Sequence, residues 1–213
     1  MKDEDLFVVV DGEQWYVEVL DDVVSLNLTE LYIKDIKEVI GLERLYKLNN
    51  LLLNLSFNEL VDTCGLENFE GLEGLLFKEN KIVDIKGLEN LTTLEELNLS
   101  RNQISEIKGL DKLTNLRRLN LSHNKISEIK GLDKLINLRK LKLCYNQITE
   151  IKGLENLRKL QTLNLRVNKI KNLAGLEKLR NLHTLLLNHN QITEFKDLEH
   201  LKTLSVVDKY PQE

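Results

Sequence analysis

The 213-residue chain is poor in the residues that interrupt or cross-link a fold. It contains one proline, ten glycines and two cysteines, and only 5% of its residues are aromatic. These counts exclude a collagen-like chain, a proline-rich chain and a disulfide scaffold. No stretch reaches the roughly 20 apolar residues that a membrane helix requires. We therefore expect a globular protein with no membrane span.

The N-terminal sequence and the cysteine content also bear on the compartment. The first residues are acidic where a signal peptide carries basic ones, and the apolar run after them is short. Two cysteines, Cys64 and Cys144, in a chain of this length are typical of a reducing compartment. We therefore expect a cytoplasmic protein. The formal net charge of −4 argues against a surface that is basic overall, but it leaves room for a local basic patch.

Asparagine recurs every 22 residues along most of the chain. The seven positions are Asn58, Asn80, Asn102, Asn124, Asn146, Asn168 and Asn190. Each lies in the frame L-x-x-L-x-L-x-x-N-x-I-x-x-I-x-x-L-x-x-L, which is complete between Leu94 and Leu113. Seven consecutive copies of such a frame are the pattern of a leucine-rich repeat array.

Each part of the frame has a physical reason. The alternation Leu97-Asn98-Leu99 predicts a strand with its leucines turned inward. The recurring asparagine lies where the chain leaves the strand, and its amide can satisfy backbone groups that would otherwise be buried unpaired. We therefore interpret the row of asparagines as structural. The sequence predicts an α/β repeat solenoid with a curved parallel sheet on the concave face and short helical or 3-10 segments on the convex face.

The two ends depart from the frame, as capping units do. Apolar stretches on both sides of Asp11-Gly12 predict an N-terminal β-hairpin cap in residues 1–22, with Trp15 as its main apolar cover. Residues 23–207 form the predicted solenoid, with one irregular repeat, seven regular repeats and a partial last one. In the irregular repeat, Leu31 occupies the position of the recurring asparagine. Residues 208–213 are predicted to be a C-terminal tail.

The segment Asn80-Lys81-Ile82-Val83-Asp84-Ile85-Lys86-Gly87-Leu88 and its downstream copies resemble the 22-residue subclass of leucine-rich repeat proteins. This subclass includes the regulatory subunit of protein phosphatase 1 and the bacterial internalins. The resemblance implies a curved solenoid that binds another protein on its concave sheet, without naming the partner. The phosphatase regulator's contact face is acidic and aromatic, so a phosphatase catalytic subunit does not fit this chain as a partner.

Two neighbouring copies show which positions vary. Residues 102–123 and 124–145 are identical at 16 of 22 positions, and five of the six differences flank the strand on its outward side. Exposed positions on the convex side recur unchanged. Scaffold positions that stay constant while the sheet surface diverges are expected if the concave face recognises a partner.

The outward positions are those six, four, two and one before each asparagine and the one after it. They carry nine basic and three acidic residues, and the three acids lie toward the N-terminal end. We therefore predict a basic concave face, with Tyr145 as its aromatic anchor. The candidate protein-binding residues are Arg101, Arg118, His123, Lys140, Lys142, Tyr145, Arg166, Lys169 and His189.

The sequence contains no pattern that predicts catalysis. Phosphate-binding loops, dinucleotide-binding glycine motifs, H-E-x-x-H and C-x-x-C are all absent from it. We therefore predict no catalytic residues, no metal ligands and no cofactor, and expect a protein that is not an enzyme.

The sequence predicts a monomeric protein-protein interaction module or adaptor that binds another protein with an acidic surface. Binding of RNA or another polyanion by the same face is the alternative, although the net charge and the few stacking aromatics argue against it. A third interpretation is a consensus design or recent duplication with no evolved partner. The near-identity of the two copies supports it, and the irregular connection from Lys37 to Leu51 opposes it.

Overall fold

The structure is a computed structural model that describes residues 6–20, 23–195, 198 and 200–208. Within these residues the chain forms short strands joined by turns, two 3-10 helices and no α-helix. The 3-10 helices are Ile36–Glu38 and Leu42–Leu45. The strands are β1 Phe7–Val10, β2 Glu13–Tyr16, β3 Glu18–Leu20, β4 Val23–Asn27, β5 Leu51–Asn54, β6 Leu72–Leu76, β7 Glu96–Asn98, β8 Arg118–Asn120, β9 Lys140–Lys142, β10 Thr162–Asn164, β11 Thr184–Leu186 and β12 Val206–Asp208.

Strands β3 to β12 form one sheet in chain order, as a solenoid requires. All neighbours from β4 to β12 pair in parallel, while β3 pairs with β4 in antiparallel fashion. Equivalent residues of successive repeats are register partners, so Glu96 pairs with Arg118 and Arg118 with Lys140. The predicted parallel-sheet solenoid is confirmed.

The leucines and isoleucines of the frame form one continuous core inside the coil. Leu97, Leu99, Ile104 and Leu119 are at most 1% exposed, and the same positions are buried in the other regular repeats. Most of the return segments are successive turns, with bonds such as Leu113 N–H to Leu110 C=O at 3.0 Å. Each buried Leu or Ile contributes about 1.5–3 kcal/mol before conformational entropy is counted.

The recurring asparagines link each repeat to the one before it. The Asn124 amide nitrogen donates to the carbonyls of Leu99 at 3.0 Å, Leu121 at 3.0 Å and Ser122 at 3.3 Å. Its amide oxygen accepts from Ile104 N–H at 3.0 Å. Asn146 is half-buried, and the other six are buried. These bonds support the structural role predicted for the row.

A second ladder of side-chain bonds runs along the exposed return segments, and the sequence reasoning missed it. The amides of Asn115, Asn137 and Asn181 donate to carbonyls of the preceding repeat at 2.7–2.9 Å. Thr93 and Thr203 hold the same position in other repeats and donate through their hydroxyls. Asn, Thr or Lys at this position in every regular repeat except the one with Gly71 was the signal in the sequence.

The N-terminal hairpin is present and covers the first turn of the solenoid. Strands β1 and β2 pair around Asp11-Gly12, and Val9 exchanges backbone hydrogen bonds with Ile40 at 2.8 and 2.9 Å. Trp15 packs against the core but is only half-buried, whereas Val8, Val10 and Val17 are at most 6% exposed. The prediction that Trp15 is the main cover was wrong, because the valines of the hairpin face the core.

Candidate protein-binding face

The concave face consists of the outward side chains of β4 to β12 and of the residues that follow each strand. Because side chains alternate along a strand, the first and third residues of β8 and β9 point outward while the leucine between them is buried. Parallel pairing then aligns Arg118 with Lys140, and Asn120 with Lys142. The frame of the repeat therefore places the predicted basic residues in two adjacent rows.

The residue before each recurring asparagine adopts the left-handed conformation. Its φ is +54° to +59° in all seven regular repeats, at Phe57, Glu79, Arg101, His123, Tyr145, Val167 and His189. This backbone places the seven side chains in one row along the rim of the concave face. Val167 is the β-branched residue among the seven, and a β-branched side chain in the left-handed conformation is strained.

Two rings of this row stack on one another. The ring centroids of His123 and Tyr145 lie 4.1 Å apart and the ring planes differ by 10°. Burial lowers the pKa of His123 below its ordinary value of 6.5, and the positive charge of Arg101 lowers it further, against the opposing effect of Glu79. We therefore expect a neutral imidazole at neutral pH. Tyr145 remains 50% exposed, so the stack presents an aromatic surface to solvent.

The three arginines among the candidate residues are all paired with carboxylates. Arg101 Nε lies 3.4 Å from Glu79, and Arg118 binds Glu96 through Nε at 2.9 Å and through its terminal nitrogen at 2.8 Å. Arg166 forms a two-nitrogen contact with Asp208. These side chains are half-exposed, so each pair contributes little to stability.

Asp208 corrects the predicted charge distribution. It lies in β12 at the C-terminal end of the sheet, so the statement that every acid of the face lies toward the N-terminus was wrong. The sequence reasoning missed it because Gln212 stands where the next asparagine would, and residues 208–213 were assigned to a C-terminal tail. Asp208 neutralises Arg166, which removes that arginine from the available positive charge.

The available charge of the face is carried by lysines instead. In the part of the chain that the structure describes, Lys140, Lys142 and Lys169 form no ion pair, and Lys125 donates only to the neutral Gln103 at 3.2 Å. Lys140 and Lys142 line a shallow depression together with Arg118, Glu96 and the outward asparagines of β7 and β8. The positive potential is therefore concentrated over β8 to β10.

The candidate residues divide into a central group and two flanks. Lys140, Lys142 and Tyr145 lie in or just after β9, and His123 stacks on Tyr145 from the repeat before. Arg118 lies beside Lys140 and is turned to Glu96. The flanking positions are Arg101, Arg166, Lys169 and His189. Arg101 and His189 are separated by four repeats, or about 19 Å of sheet.

The described residues include no group of three or more His, Cys, Asp or Glu residues placed to hold a metal ion. Both cysteines are free thiols and half-buried. Within the same ranges, no helix has the length and apolar character needed to cross a bilayer.

A family model described as leucine-rich repeats in two copies matches the sequence in four overlapping windows. The windows are residues 70–112, 92–134, 114–159 and 136–178. Together they extend from residue 70 to residue 178, which is 109 of the 213 residues. No curated protein sequence matches the chain significantly.

Solved structures of bacterial repeat proteins are similar to this chain. Internalin C2 of Listeria monocytogenes has 30% sequence identity and a TM-score of 0.78, with 87% of this chain and 80% of that one covered. A second internalin of this bacterium, inlF, has 30% identity and a TM-score of 0.74, with 87% of this chain and 54% of that one covered. A leucine-rich repeat protein of Leptospira interrogans has 27% identity and a TM-score of 0.64, with coverages of 79% and 51%. The chain thus spans about half the length of the last two.

Proposed function

Because the chain belongs to the leucine-rich repeat family, we propose that it is a non-catalytic protein-binding module whose concave face binds an acidic surface of another protein. Proteins of this family generally act as interaction modules. The observation that carries the proposal is the set of lysines over β8 to β10 that have no carboxylate partner among the described residues. A partner that supplies carboxylates would pair with these lysines.

The aromatic stack supplies the second part of the proposed interface. Tyr145 is half-exposed and held against His123, so its position is set before a partner arrives. A preorganised aromatic ring loses little side-chain entropy on binding and is a common centre of binding energy. We assign Tyr145 as the anchor and the lysines as the groups that steer an acidic partner toward it.

The same proposal includes the compartment and the mode of action. We place the protein in the cytoplasm as a monomeric adaptor, and its two free thiols support the cytoplasmic location.

RNA is the competing ligand for a lysine-rich face. Against RNA stand the single exposed tyrosine near the lysines and the net charge of −4, because single-stranded RNA is usually held by several stacking aromatics on a basic protein.

Affinity capture from a lysate of the source cells, with and without nuclease, tests the proposal. The test variant replaces Lys140, Lys142 and Lys169 together by Glu. The control variant replaces the exposed convex residues Lys112, Lys134 and Lys178 by Glu, which gives the same change in net charge. We expect one protein to be retained by the wild type and by the control, and its affinity for the test variant to fall at least about tenfold.

Two results would contradict the proposal. Equal retention by the wild type and both variants would show that the concave lysines take no part in binding. Capture that disappears with nuclease, and that any polyanion competes away with a steep salt dependence, would instead identify a nucleic-acid ligand.

A further inference from the structure

The second outward position of the frame, four residues before each recurring asparagine, is occupied by asparagine in several repeats. In four repeats it is an asparagine whose amide oxygen accepts the backbone N–H of the residue two positions later. Each of these bonds is 3.1 Å long, from Ser56 to Asn54, Ser100 to Asn98, Ser122 to Asn120 and Arg166 to Asn164. The asparagine oxygen thus caps an N–H that points to the concave face after the strand ends.

Strand β9 breaks this pattern. Lys142 occupies the position of the asparagine, and its side chain cannot accept a hydrogen bond. Across the residues that the structure describes, the Cys144 N–H forms no hydrogen bond. In another repeat without the asparagine, at Leu76, the corresponding N–H of Lys78 donates to Ser56 Oγ at 3.2 Å instead. The Cys144 N–H is therefore a donor left open on the concave face.

The surroundings of this donor are positively charged. Lys142 and Cys144 point to the same face of the strand, about 7 Å apart along the chain. Lys140 lies two residues before Lys142 on that face and borders the same depression. Neither lysine has a carboxylate partner among the described residues, and Arg118 on the neighbouring strand is already bound to Glu96. The N–H of Asn188 also has no acceptor in this part of the chain, but it follows Leu186 and lies beside no such pair of lysines.

We propose that this place is a carboxylate subsite, in which one oxygen of an Asp or Glu side chain from the partner accepts the Cys144 N–H and the Lys142 ammonium pairs with the same group. The subsite rests on the proposed function, since its ligand is the acidic segment of the bound protein. A carboxylate has the planar geometry of the asparagine amide that fills the equivalent place in β5, β7, β8 and β10. The partner's carboxylate oxygen therefore takes the place of the asparagine oxygen that β9 lacks.

Amide NMR of the full chain with an octaglutamate peptide as the probe tests the subsite directly. We expect the Cys144 amide resonance to move during the titration, because a charged acceptor deshields the N–H proton. The Ser122 amide is the internal control, since Asn120 already caps it on the adjacent strand. Movement of neither amide, or of both equally, would overturn the proposal.

Three substitutions separate the backbone donor from the lysine charge. Lys142→Asn introduces the asparagine of four other repeats, which caps the Cys144 N–H and closes the subsite. We expect this variant to fold with an equal or higher melting temperature. We expect it to weaken octaglutamate binding about tenfold and to abolish the Cys144 shift. Lys142→Met removes the charge but supplies no acceptor for the Cys144 N–H. We expect the Cys144 amide resonance still to move in this variant, at a higher peptide concentration. Lys134→Asn, on the convex side, leaves the affinity unchanged.

The subsite and the proposed function can fail independently. Octaglutamate binding that Lys142→Asn does not weaken, with no movement of the Cys144 amide, would overturn the subsite and leave an acidic partner on the concave face possible. A Cys144 shift with octaglutamate, together with equal capture of cellular protein by all variants, would support the subsite and overturn the proposed function.

Discussion

Asparagines and lysines occur on both sides of the solenoid, but the two sides use them in opposite ways. At the strand ends, Asn124 is buried and makes four hydrogen bonds, whereas Asn115 on the convex side is exposed and makes one. Lys108 on the convex side lies 2.8 Å from Asp84 and 3.8 Å from Glu106. In the described part of the chain, Lys140 on the concave side has no such partner.

The difference shows which groups hold the coil together and which remain available. Buried asparagines satisfy backbone atoms that water cannot reach, so their loss is costly. On the convex side, Lys108 and Lys130 pair with the carboxylates beside them in a ladder that runs from Asp84 to Glu128. Lys140, Lys142 and Lys169 take part in neither set of contacts among the described residues. These three lysines and the strained backbone at Val167 lie on the side that we propose for binding.

The largest expected effect is on the buried asparagines. Asn124→Ala leaves the Ile104 N–H without a partner in the core and removes one of two donors to the Leu99 and Leu121 carbonyls. We expect it to lower the free energy of unfolding by about 1–3 kcal/mol. Asn115→Ala removes a single exposed bond and should cost less than about 1 kcal/mol. Chemical denaturation followed by circular dichroism measures both. Equal costs would show that burial does not separate the two ladders.

The next effect concerns backbone strain on the concave rim. Val167→Asn places a residue that tolerates positive φ at φ +54°, and we expect it to raise the free energy of unfolding by about 1 kcal/mol. Val83→Asn is the control, because Val83 is an exposed valine without a positive φ, whereas Val167 is half-buried. The control should be neutral or slightly destabilising in the same denaturation experiment. A gain of stability in both variants would point to a general effect of replacing valine by asparagine, not to relief of strain.

The smallest effect is expected for the convex ladder. Lys130 lies 2.9 Å from Glu106, and its hydrogen bond and positive charge hold the pKa of that carboxyl below its ordinary value of 4.5. A carboxyl with a lowered pKa in the folded state stabilises above its unfolded pKa, and this stability is lost as the pH falls through the folded value. Glu106→Gln should therefore lower the melting temperature slightly at neutral pH and low salt.

Salt and acid provide the controls for the ladder. The difference between Glu106→Gln and the wild type should vanish in about 1 M salt, where exposed charges are screened. It should also shrink at a pH well below 4.5, where Glu106 itself becomes neutral. A difference that persists under both conditions would mean that the side chain acts through packing rather than charge.

The fold was predictable from the sequence because its signal repeats seven times. One period of 22 residues located the strands, the buried leucines and the asparagines, and the concave rows followed from strand alternation. Pairing among charges was not predictable in the same way. Whether Arg118 faces solvent or Glu96 depends on rotamers, and Arg166 meets Asp208 across two repeats, 42 residues away.

The open donor at Cys144 shows a second limit of the sequence. The exchange of Asn120 for Lys142 between two nearly identical repeats is visible in the sequence as a gain of charge. That the asparagine caps a backbone N–H is visible only in the structure, from four equivalent bonds of 3.1 Å. The change from asparagine to lysine therefore adds a surface charge and also removes the acceptor of a backbone N–H.

The backward direction of the asparagine bonds has an evolutionary consequence. Asn102 donates to Phe77 C=O and accepts from Ile82 N–H, both in the repeat before it, and Asn124 does the same for Leu99 and Ile104. The asparagine of a copied 22-residue unit therefore bonds the backbone of the unit before it. The asparagine of the unit after it bonds the backbone of the copied unit in the same way. The gene can lengthen by internal duplication without a new interface having to evolve at each junction. Only the outward residues must then diverge, and the 16 identities in 22 positions between two adjacent units fit such a history.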